Sequence, residues 1–256
     1  MGRLPISIRE CRTIEDFDAC IALQREAFYL PDLEISPRRH FVVSQRAGGW
    51  TLGAFVGESD GAEKMVGFVH HLVALRDERE VIGYSHMMAI ATEHQNQGVG
   101  VQLKWAQRER ARAAGVRYIK WTWDPMQARN AHFNLNRLGV IVRSYGVNFY
   151  GVDYPHESEQ ESGIESDRLF AEWELDSARV SALARGDGVQ TLGRAEARVE
   201  IPTRWRELIA ADARAARDEL RRVRNEFAAA FADGLICGGF ERDPVRPKYL
   251  FFRAAK

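Results

Sequence analysis

Apolar and polar positions in the first 150 residues follow two periods, which predict alternating strands and helices. Short apolar or alternating runs predict strands over 6–11, 50–56, 64–75, 81–91, 118–123 and 140–150. Apolar residues at steps of three and four predict helices over 14–28, 98–114 and 126–138. Thr13 and Asp16 form a capping box for the first helix, while Gly115 and Gly139 end the other two. The stretch 29–46 holds Pro31 and Pro37, and it forms either a loop or a short second helix.

The remainder of the chain begins with a different composition. Residues 153–167 carry six acidic side chains and no Lys or Arg, which predicts an exposed linker or lid. Strands are then predicted over 169–175, 196–201, 235–240 and 249–253, with a short helix over 177–185. The longest predicted helix covers 203–233, where an apolar stripe faces one side and arginines alternate with acidic residues on the other.

Composition and charge exclude several classes of protein. Among 256 residues, Lys and Arg together number 36 and so do Asp and Glu, so a general nucleic-acid or membrane-surface binder is not expected. No apolar run approaches the roughly 20 residues of a membrane span, and the N-terminus lacks the apolar core of a signal peptide. Three scattered cysteines, Cys11, Cys20 and Cys237, lack metal-ligand spacing. They predict buried thiols in a reducing, cytoplasmic compartment.

The junction between the fourth strand and the second long helix carries the clearest candidate chemistry. A mostly apolar strand over 84–91 leads through the polar turn 93–97 into a helix that starts at Gly98. The first N–H groups of a helix have no partner, and the helix dipole makes that end positive. Gly98 and Gly100 leave those N–H groups open to a bulky anion such as a diphosphate. The alternative is that the two glycines only make the turn.

Gln95-x-x-Gly98-x-Gly100 resembles the acyl-CoA signature of the GNAT (GCN5-related N-acetyltransferase) superfamily, [Gln/Arg]-x-x-Gly-x-[Gly/Ala]. The predicted order of strands and helices over 6–150 also matches this superfamily, and the signature falls at the required junction. The likeness is closest to a subgroup with an extra C-terminal α+β region. It shares Ser85-His86-Met87, Trp121-Thr122, Asp124-Pro125, Arg129-Asn130-Ala131, Leu138-Gly139 and Ser166-Asp167-Arg168.

The resemblance implies an α+β (mixed α/β) GNAT fold with a central, mostly antiparallel sheet flanked by helices. It divides the chain into a GNAT domain over 1–152, the acidic linker over 153–167 and a C-terminal α+β domain over 168–256. The last domain repeats the strand–helix–strand–strand order that closes a GNAT fold. It is therefore either a degenerate half-copy, packed on the first domain or exchanged in a homodimer, or an unrelated α+β cap.

The resemblance also implies acetyl-CoA or another acyl-CoA as co-substrate, with no metal. The pantetheine arm would bond to the backbone of Met88 and Ile90, and an N–H near Met88 or Ala89 would stabilise the oxyanion. Asn130 is a further candidate polar contact. The diphosphate would lie over the backbone amides of Gln95, Asn96, Gln97, Gly98, Val99, Gly100 and Val101.

Three residues at the fourth strand are candidates for catalytic roles, two of them as the base that removes a proton from an acceptor amine. Histone-type relatives carry a glutamate where this chain has Tyr84, and a neutral tyrosine is a poor base. His86 has a suitable ordinary pKa, with Tyr84 orienting a water or the substrate; the alternative is a core histidine. Glu80 is a second candidate base or a solvated turn charge. Leu135 occupies the position where many GNAT enzymes carry a tyrosine as acid toward the thiolate.

Three functions follow. The first is an acyl-CoA-dependent N-acyltransferase that acts on an amine of a small molecule or amino acid. The second is an acyl-CoA-binding sensor or scaffold without activity, which Tyr84 and Leu135 favour. The third is a partner-binding dimer that has lost the cofactor, which the acidic linker and the C-terminal region favour.

Overall fold

The computed structural model describes residues 5–28, 31–57, 61–152, 163–188 and 192–254. The chain forms two compact units, residues 1–119 and 120–256. In chain order the first unit contains β1 (Ile6–Glu10), α1 (Ile14–Phe28), α2 (Arg38–Arg46), β2 (Trp50–Gly57), β3 (Glu63–Arg76), β4 (Glu80–Ile90), α3 (Val99–Ala113) and the beginning of β5 (Tyr118–Trp123). The predicted strands and helices of this unit are present, and the stretch left open contains α2. Residues 58–61 (Glu-Ser-Asp-Gly), whose composition predicts a turn between β2 and β3, lie mostly outside the described residues.

The sheet of the first unit is antiparallel, with neighbouring strands in the order β1-β2-β3-β4. Successive residues of β3 face opposite sides of this sheet. Phe68 packs with Phe41 of α2 in a core that also includes α1. On the other face, α3 lies so close that a Cβ on Gly67 would be 3.3 Å from Leu103. Helices therefore cover both faces of β3.

The start of α1 shows how local sequence fixes a helix end. The backbone N–H of Asp16 donates to Oγ1 of Thr13 at 3.2 Å, and the N–H of Thr13 donates to Oδ2 of Asp16 at 3.3 Å. Arg9 adds two hydrogen bonds of 3.0 Å to the same carboxylate. These bonds hold the pKa of Asp16 below its ordinary value, although burial acts in the opposite direction. The predicted capping box is confirmed.

The second unit continues β5 and contains two groups of strands, with β7 between β5 and β6 and a separate sheet in the order β8-β10-β9. Its further elements are α4 (Ala128–His132), β6 (Tyr145–Gly146), β7 (Arg168–Glu174), α5 (Ala178–Ala184), β8 (Ala197–Glu200), α6 (Trp205–Ala211), α7 (Ala213–Ala232), β9 (Leu235–Glu241) and β10 (Lys248–Arg253).

The single helix predicted over 203–233 is wrong, because the chain breaks it at Asp212. Asp212 has φ −154° and ψ 88°, outside the helical region, and its side chain accepts a hydrogen bond from the N–H of Ala215. An aspartate that bonds a nearby backbone N–H favours a helix start over a helix interior. The result is α6 followed by α7, whose apolar side is buried at Ala216, Leu220, Val223, Phe227 and Ala230.

The strand predicted over 140–150 is also wrong in extent, since only Tyr145 and Gly146 form regular pairs with β7. Ile141 and Val142 make single bridges to two different segments, and Asn148 has φ 45°. A change of partner and a positive φ interrupt a regular ladder. The helix predicted over 126–138 is present as α4, but its last turn is a π-helix over Phe133–Arg137.

The predicted α+β class is confirmed, with a mostly antiparallel central sheet flanked by helices and a second sheet in the C-terminal region. The compact units divide the chain at 119 and not at 152, so the domain boundaries and the half-copy stay predictions. Most of the predicted acidic linker, residues 153–162, lies outside the described residues. In the described part of the chain, no helix combines the length and apolar character needed to cross a bilayer.

Candidate active site

The pairing between β3 and β4 contains a bulge at His86. Met87 pairs with His70 and Ser85 pairs with His71, so His86 faces no residue of β3. A bulge leaves its extra residue outside the ladder, bends the strand and redirects nearby side chains. Ser85 and Met87 therefore face opposite sides of the sheet, and the side chain of His86 is exposed.

Three histidines meet on the face of the sheet that carries α1 and α2, and we call His40, His70 and His86 the histidine cluster. The ring centroid of His40, on α2, lies 5.2 Å from that of His86 and 5.2 Å from that of His70. The rings of His70 and His86 are 6.0 Å apart. The bulge in β4 thus brings the predicted base into contact with two residues from other elements.

The hydrogen bonding of this cluster is incomplete. Nδ1 of His70 lies 2.7 Å from Oγ1 of Thr51, and both residues are buried. Nε2 of His70 and Nε2 of His40 are buried without a hydrogen-bond partner among the described residues. Buried polar nitrogens without a protein partner usually bond to water or to a ligand. The cluster can therefore accept or donate hydrogen bonds to a bound polar group.

The three rings are held in the neutral form at neutral pH. Burial, and then the neighbouring histidines, lower the pKa of His70 to about 3. Partial enclosure by protein, and then His40, lower the pKa of His86 to about 4, although part of its ring faces solvent. Burial also lowers the pKa of His40. A neutral imidazole has a free lone pair, so each ring can accept a proton.

The other two candidate residues of β4 are not part of this cluster. Glu80 is exposed at the start of the strand, where its Oε2 accepts a hydrogen bond of 2.8 Å from Nε of Arg76. Five strand residues lie between it and His86, so the two are about 20 Å apart along the strand. Tyr84 is half-buried and pairs with Leu72 of β3, two residues before the bulge.

A buried polar network lies on the opposite face of β4. Nζ of Lys104, on α3, donates to Oγ of Ser85 at 2.8 Å and to Oε1 of Gln107 at 3.0 Å. Nε2 of Gln107 lies 3.4 Å from Nδ1 of His71, whose ring stacks on Trp50. His70 and His71, which are consecutive in β3, face opposite sides of the sheet. Consecutive residues Ser85 and His86 thus belong to two different sets of contacts.

The turn before α3 has the backbone shape of an anion-binding helix start. Asn96 and Gly98 have φ 61° and 88°, and Gly98 is the N-cap of α3, which begins at Val99. Gly98 is exposed, and a Cβ added there would meet nothing within 4 Å. The N–H groups of the first turn, which includes Gly100 and Val101, have no partner within the helix. These residues fit a diphosphate.

Gln95 of the signature and the nearby Gln97 stabilise this turn through side-chain hydrogen bonds. Nε2 of Gln95 donates to the carbonyl oxygen of Ile90 at 3.2 Å, which ties the turn to the end of β4. Nε2 of Gln97 donates to the carbonyl oxygen of Glu93 at 2.7 Å. Their side chains therefore hold the backbone of the turn in place.

The remaining predicted contacts lie on two elements. Met88, Ala89 and Ile90 pair with β3 in regular register directly after the bulge, and Ala89 is buried. Asn130 is exposed on α4, in the second unit. The roles of these four residues toward an acyl-CoA stay predictions.

Sequence reasoning missed His40 and Thr51. His40 falls in the stretch 29–46, for which the sequence predicts either a loop or a short helix, so no facing direction follows for it. Thr51 is the second residue of an ordinary apolar strand. A signal was present in Phe41 and Ser44, whose buried three-residue spacing marks the inner side of α2.

A mostly antiparallel sheet whose fourth strand leads through a glycine turn into a helix defines the acyltransferase class of fold. The profile of the acetyltransferase (GNAT) family matches residues 17–139. Residues 17–139 therefore form a domain of the GNAT superfamily, whose members use acetyl-CoA or another acyl-CoA.

Solved structures share this fold at low sequence identity. The ribosomal-protein-S18-alanine N-acetyltransferase from Escherichia coli is 17% identical, with TM-score 0.51 over 68% of this chain and 96% of that chain. The NatC complex bound to Gag peptide and CoA is 13% identical, with TM-score 0.53 over 66% and 98%. An N-acetyltransferase from Staphylococcus aureus Mu50 is 17% identical, with TM-score 0.51 over 67% and 99%. No sequence among curated proteins matches this chain.

Proposed function

We propose that the protein is an acyl-CoA-dependent N-acyltransferase that transfers an acyl group, first of all acetyl, to an amine of a small molecule or amino acid. The observation that carries the proposal is the open start of α3, where Gly98 adopts a left-handed conformation and leaves free space in front of the first N–H groups. When bound there, acyl-CoA supplies an activated thioester.

The acceptor amine must lose a proton before it can react. A free lysine-type amine has a pKa of about 10.4, so neutrality at pH 7 costs roughly 4–5 kcal/mol. We propose that a ring nitrogen of His86 accepts this proton from the amine, because the ring is neutral and reaches solvent beside the bulge. Tyr84 orients a water or the acceptor. Glu80 is held by Arg76 and is the weaker candidate.

A second candidate function is acyl-CoA binding without transfer. Leu135, in place of the tyrosine acid, is buried in the π-helical turn, and its carbonyl oxygen accepts a hydrogen bond of 2.8 Å from Arg179. This residue cannot protonate a leaving thiolate. A CoA thiol is acidic enough to leave unassisted, so transfer remains the first proposal.

Thermal unfolding with CoA and acetyl-CoA tests the cofactor site. A ligand at a hundred times its dissociation constant stabilises the folded protein by about 2.7 kcal/mol, which raises the melting temperature by several degrees. Release of free thiol across a panel of amines then separates an enzyme from a binding protein. A stable fold that responds to no acyl-CoA would favour the partner-binding alternative.

Gly98→Ala and Gly115→Ala form a matched pair for this test. Both glycines have positive φ, 88° and 82°, at opposite ends of α3, and an added Cβ would meet nothing within 4 Å at either. Each substitution should cost about 1–2 kcal/mol of backbone strain. Only Gly98→Ala should weaken the thermal response to acetyl-CoA. Equal thermal responses to acetyl-CoA in the two variants would show that the diphosphate does not bind at this turn.

A further inference from the structure

The histidine cluster offers more proton-accepting nitrogens than a single base requires. His86 reaches solvent, whereas Nε2 of His40 is buried and has no hydrogen-bond partner among the described residues. The two rings are 5.2 Å apart between centroids, with their planes tilted by 52°. An exposed ring is thus next to a buried nitrogen that can still accept a hydrogen bond.

We propose that His40 and His86, which are neutral in the resting protein, share the first proton that the pair takes up, with His40 as the positioning residue that stores the proton removed by His86. The catalytic part of this inference rests on the proposed transferase function. An ammonium group gives a proton to one ring nitrogen of His86, while the N–H at the other ring nitrogen gives its proton to Nε2 of His40. Only N–H bonds form and break. The electron pair of the broken ammonium N–H bond stays on the amine nitrogen as its lone pair, and the positive charge ends on His40.

The separation of the rings suits this transfer. A hydrogen bond of about 2.9 Å between facing nitrogens of two imidazoles puts the ring centroids about 5 Å apart. The third ring is fixed, because Nδ1 of His70 is bonded to Thr51. His70 therefore packs beside both rings of the pair, 5.2 Å from His40 and 6.0 Å from His86. Rotation of the His40 or His86 ring would let these two form their hydrogen bond.

The charges around the pair favour sharing. Among the described residues, the groups that act beside burial are all histidines: His40, His86 and His71 lower the pKa of His70, and His40 lowers the pKa of His86. No carboxylate contributes to these shifts, so a proton confined to one ring would be poorly stabilised. Spreading the proton over an N–H···N bond lowers that cost, as charge-assisted hydrogen bonds are the stronger ones.

Repulsion and sharing predict opposite responses to the loss of His40. If the two rings only repel each other when charged, His40→Leu raises the pKa of His86. If they share a proton, the same substitution lowers the first pKa of the pair, because the hydrogen bond that holds the proton is gone. His40→Gln keeps a hydrogen-bonding group and should give an intermediate value.

The test is NMR titration of the full chain with ¹⁵N-labelled histidine, which is practical because the chain has seven histidines. His86→Gln assigns the His86 signals, and amide spectra confirm that each variant is folded. We expect His40 and His86 to titrate together in the unsubstituted protein, and His40→Leu to lower the pKa of His86 by about one unit or more. A rise, or no change, overturns the proposal.

Kinetics separate this proposal from the proposed function. If acetyl-CoA gives no thermal response, the proposed function fails while the titration still decides whether the proton is shared. If an amine is turned over, His40→Leu should lower kcat about ten- to hundredfold with little change in KM, and should move the acidic limb of the pH profile. His132→Gln, at a histidine of the second unit whose pKa is also lowered by burial, should move neither. An unmoved acidic limb in His40→Leu overturns the catalytic role.

Discussion

Oγ1 of Thr51 lies 2.7 Å from Nδ1 of His70, and the two residues face each other across β2 and β3. Both are buried, with exposed fractions of 2% and 0%. Nε2 of His70 has no partner among the described residues, so this contact is the hydrogen bond that fixes the orientation of the ring. The position of the histidine cluster therefore depends on a hydroxyl in a neighbouring strand.

Thr51→Val should destabilise the protein by about 1–3 kcal/mol, because it keeps the shape of the side chain and leaves a buried ring nitrogen unpaired. Thr51→Ser keeps the hydroxyl and is the control, with a smaller loss from the missing methyl group. Chemical denaturation gives both free energies of unfolding. Equal stabilities for Thr51→Val and the unsubstituted protein would show that the hydrogen bond contributes nothing.

The strands and helices of the first unit could be predicted because their sequence signals lie within a few residues of one another. The capping box at Thr13 and Asp16 and the positive φ of Gly98 and Gly115 follow from side-chain and backbone chemistry within a few residues. The histidine cluster could not be predicted in this way. A bulge at His86 changes the alternation of β4, and no short-range pattern fixes which strand residue lies beside an α2 histidine.

Two predictions in the second unit, the helix over 203–233 and the strand over 140–150, were wrong for a similar reason. The apolar residues around Asp212 keep a helical spacing, so the sequence pattern predicts one continuous helix. The side chain of Asp212 instead caps the start of α7. The stretch after Gly139 is apolar enough for a strand, but its bridges go to β7 and to Cys237 of β9. Pairing partners of this kind are set by the tertiary fold and leave no period in the sequence.

Stability should rise with pH through the titration range of His70. Its folded-state pKa is lowered to about 3 from an ordinary 6.5. Between these values the unfolded chain binds a proton that the folded chain does not, so the free energy of unfolding increases with pH, by up to about 1.4 kcal/mol per unit, and levels off above 6.5. His70→Asn cannot titrate and keeps a polar group near Thr51, so its slope between pH 5 and 6.5 should be smaller. Identical slopes in urea unfolding would contradict the lowered pKa.

Asp167 forms a buried ion pair within the second unit. Its fully buried carboxylate accepts hydrogen bonds of 2.9 Å from Nε and Nη2 of Arg224, and one of 2.6 Å from the hydroxyl of Tyr145. Asp167→Asn removes the charge and leaves the guanidinium without its main partner, so we expect a loss of about 3–5 kcal/mol.

Glu165 provides the matched control, since it also pairs with Arg224 but its side chain is 40% exposed. Exposed ion pairs contribute little, so Glu165→Gln should cost at most about 1 kcal/mol. Melting temperatures of the two variants under the same conditions test the difference. Equal losses would mean that burial of Asp167 does not decide the strength of its ion pair.

Lys104 should make stability depend on pH in the alkaline range. Its side chain is buried, and burial holds its pKa well below the ordinary 10.5. Below 10.5 the unfolded chain carries a proton on this lysine that the folded chain lacks once the pH exceeds the lowered pKa. The free energy of unfolding therefore rises with pH in that window. Lys104→Met removes the ionisable group at similar volume, so its free energy of unfolding should rise less between pH 8 and 10.

Lys64→Met is the control, because Lys64 is exposed and pairs with Glu93 at 3.0 Å. An exposed lysine is protonated in both states below pH 10, so this variant should keep the slope of the unsubstituted protein. Two lost hydrogen bonds, to Ser85 and Gln107, affect Lys104→Met equally at every pH, so they shift its stability without changing its slope. A steep slope that persists in Lys104→Met would assign the alkaline dependence to another group and leave Lys104 charged in the folded protein.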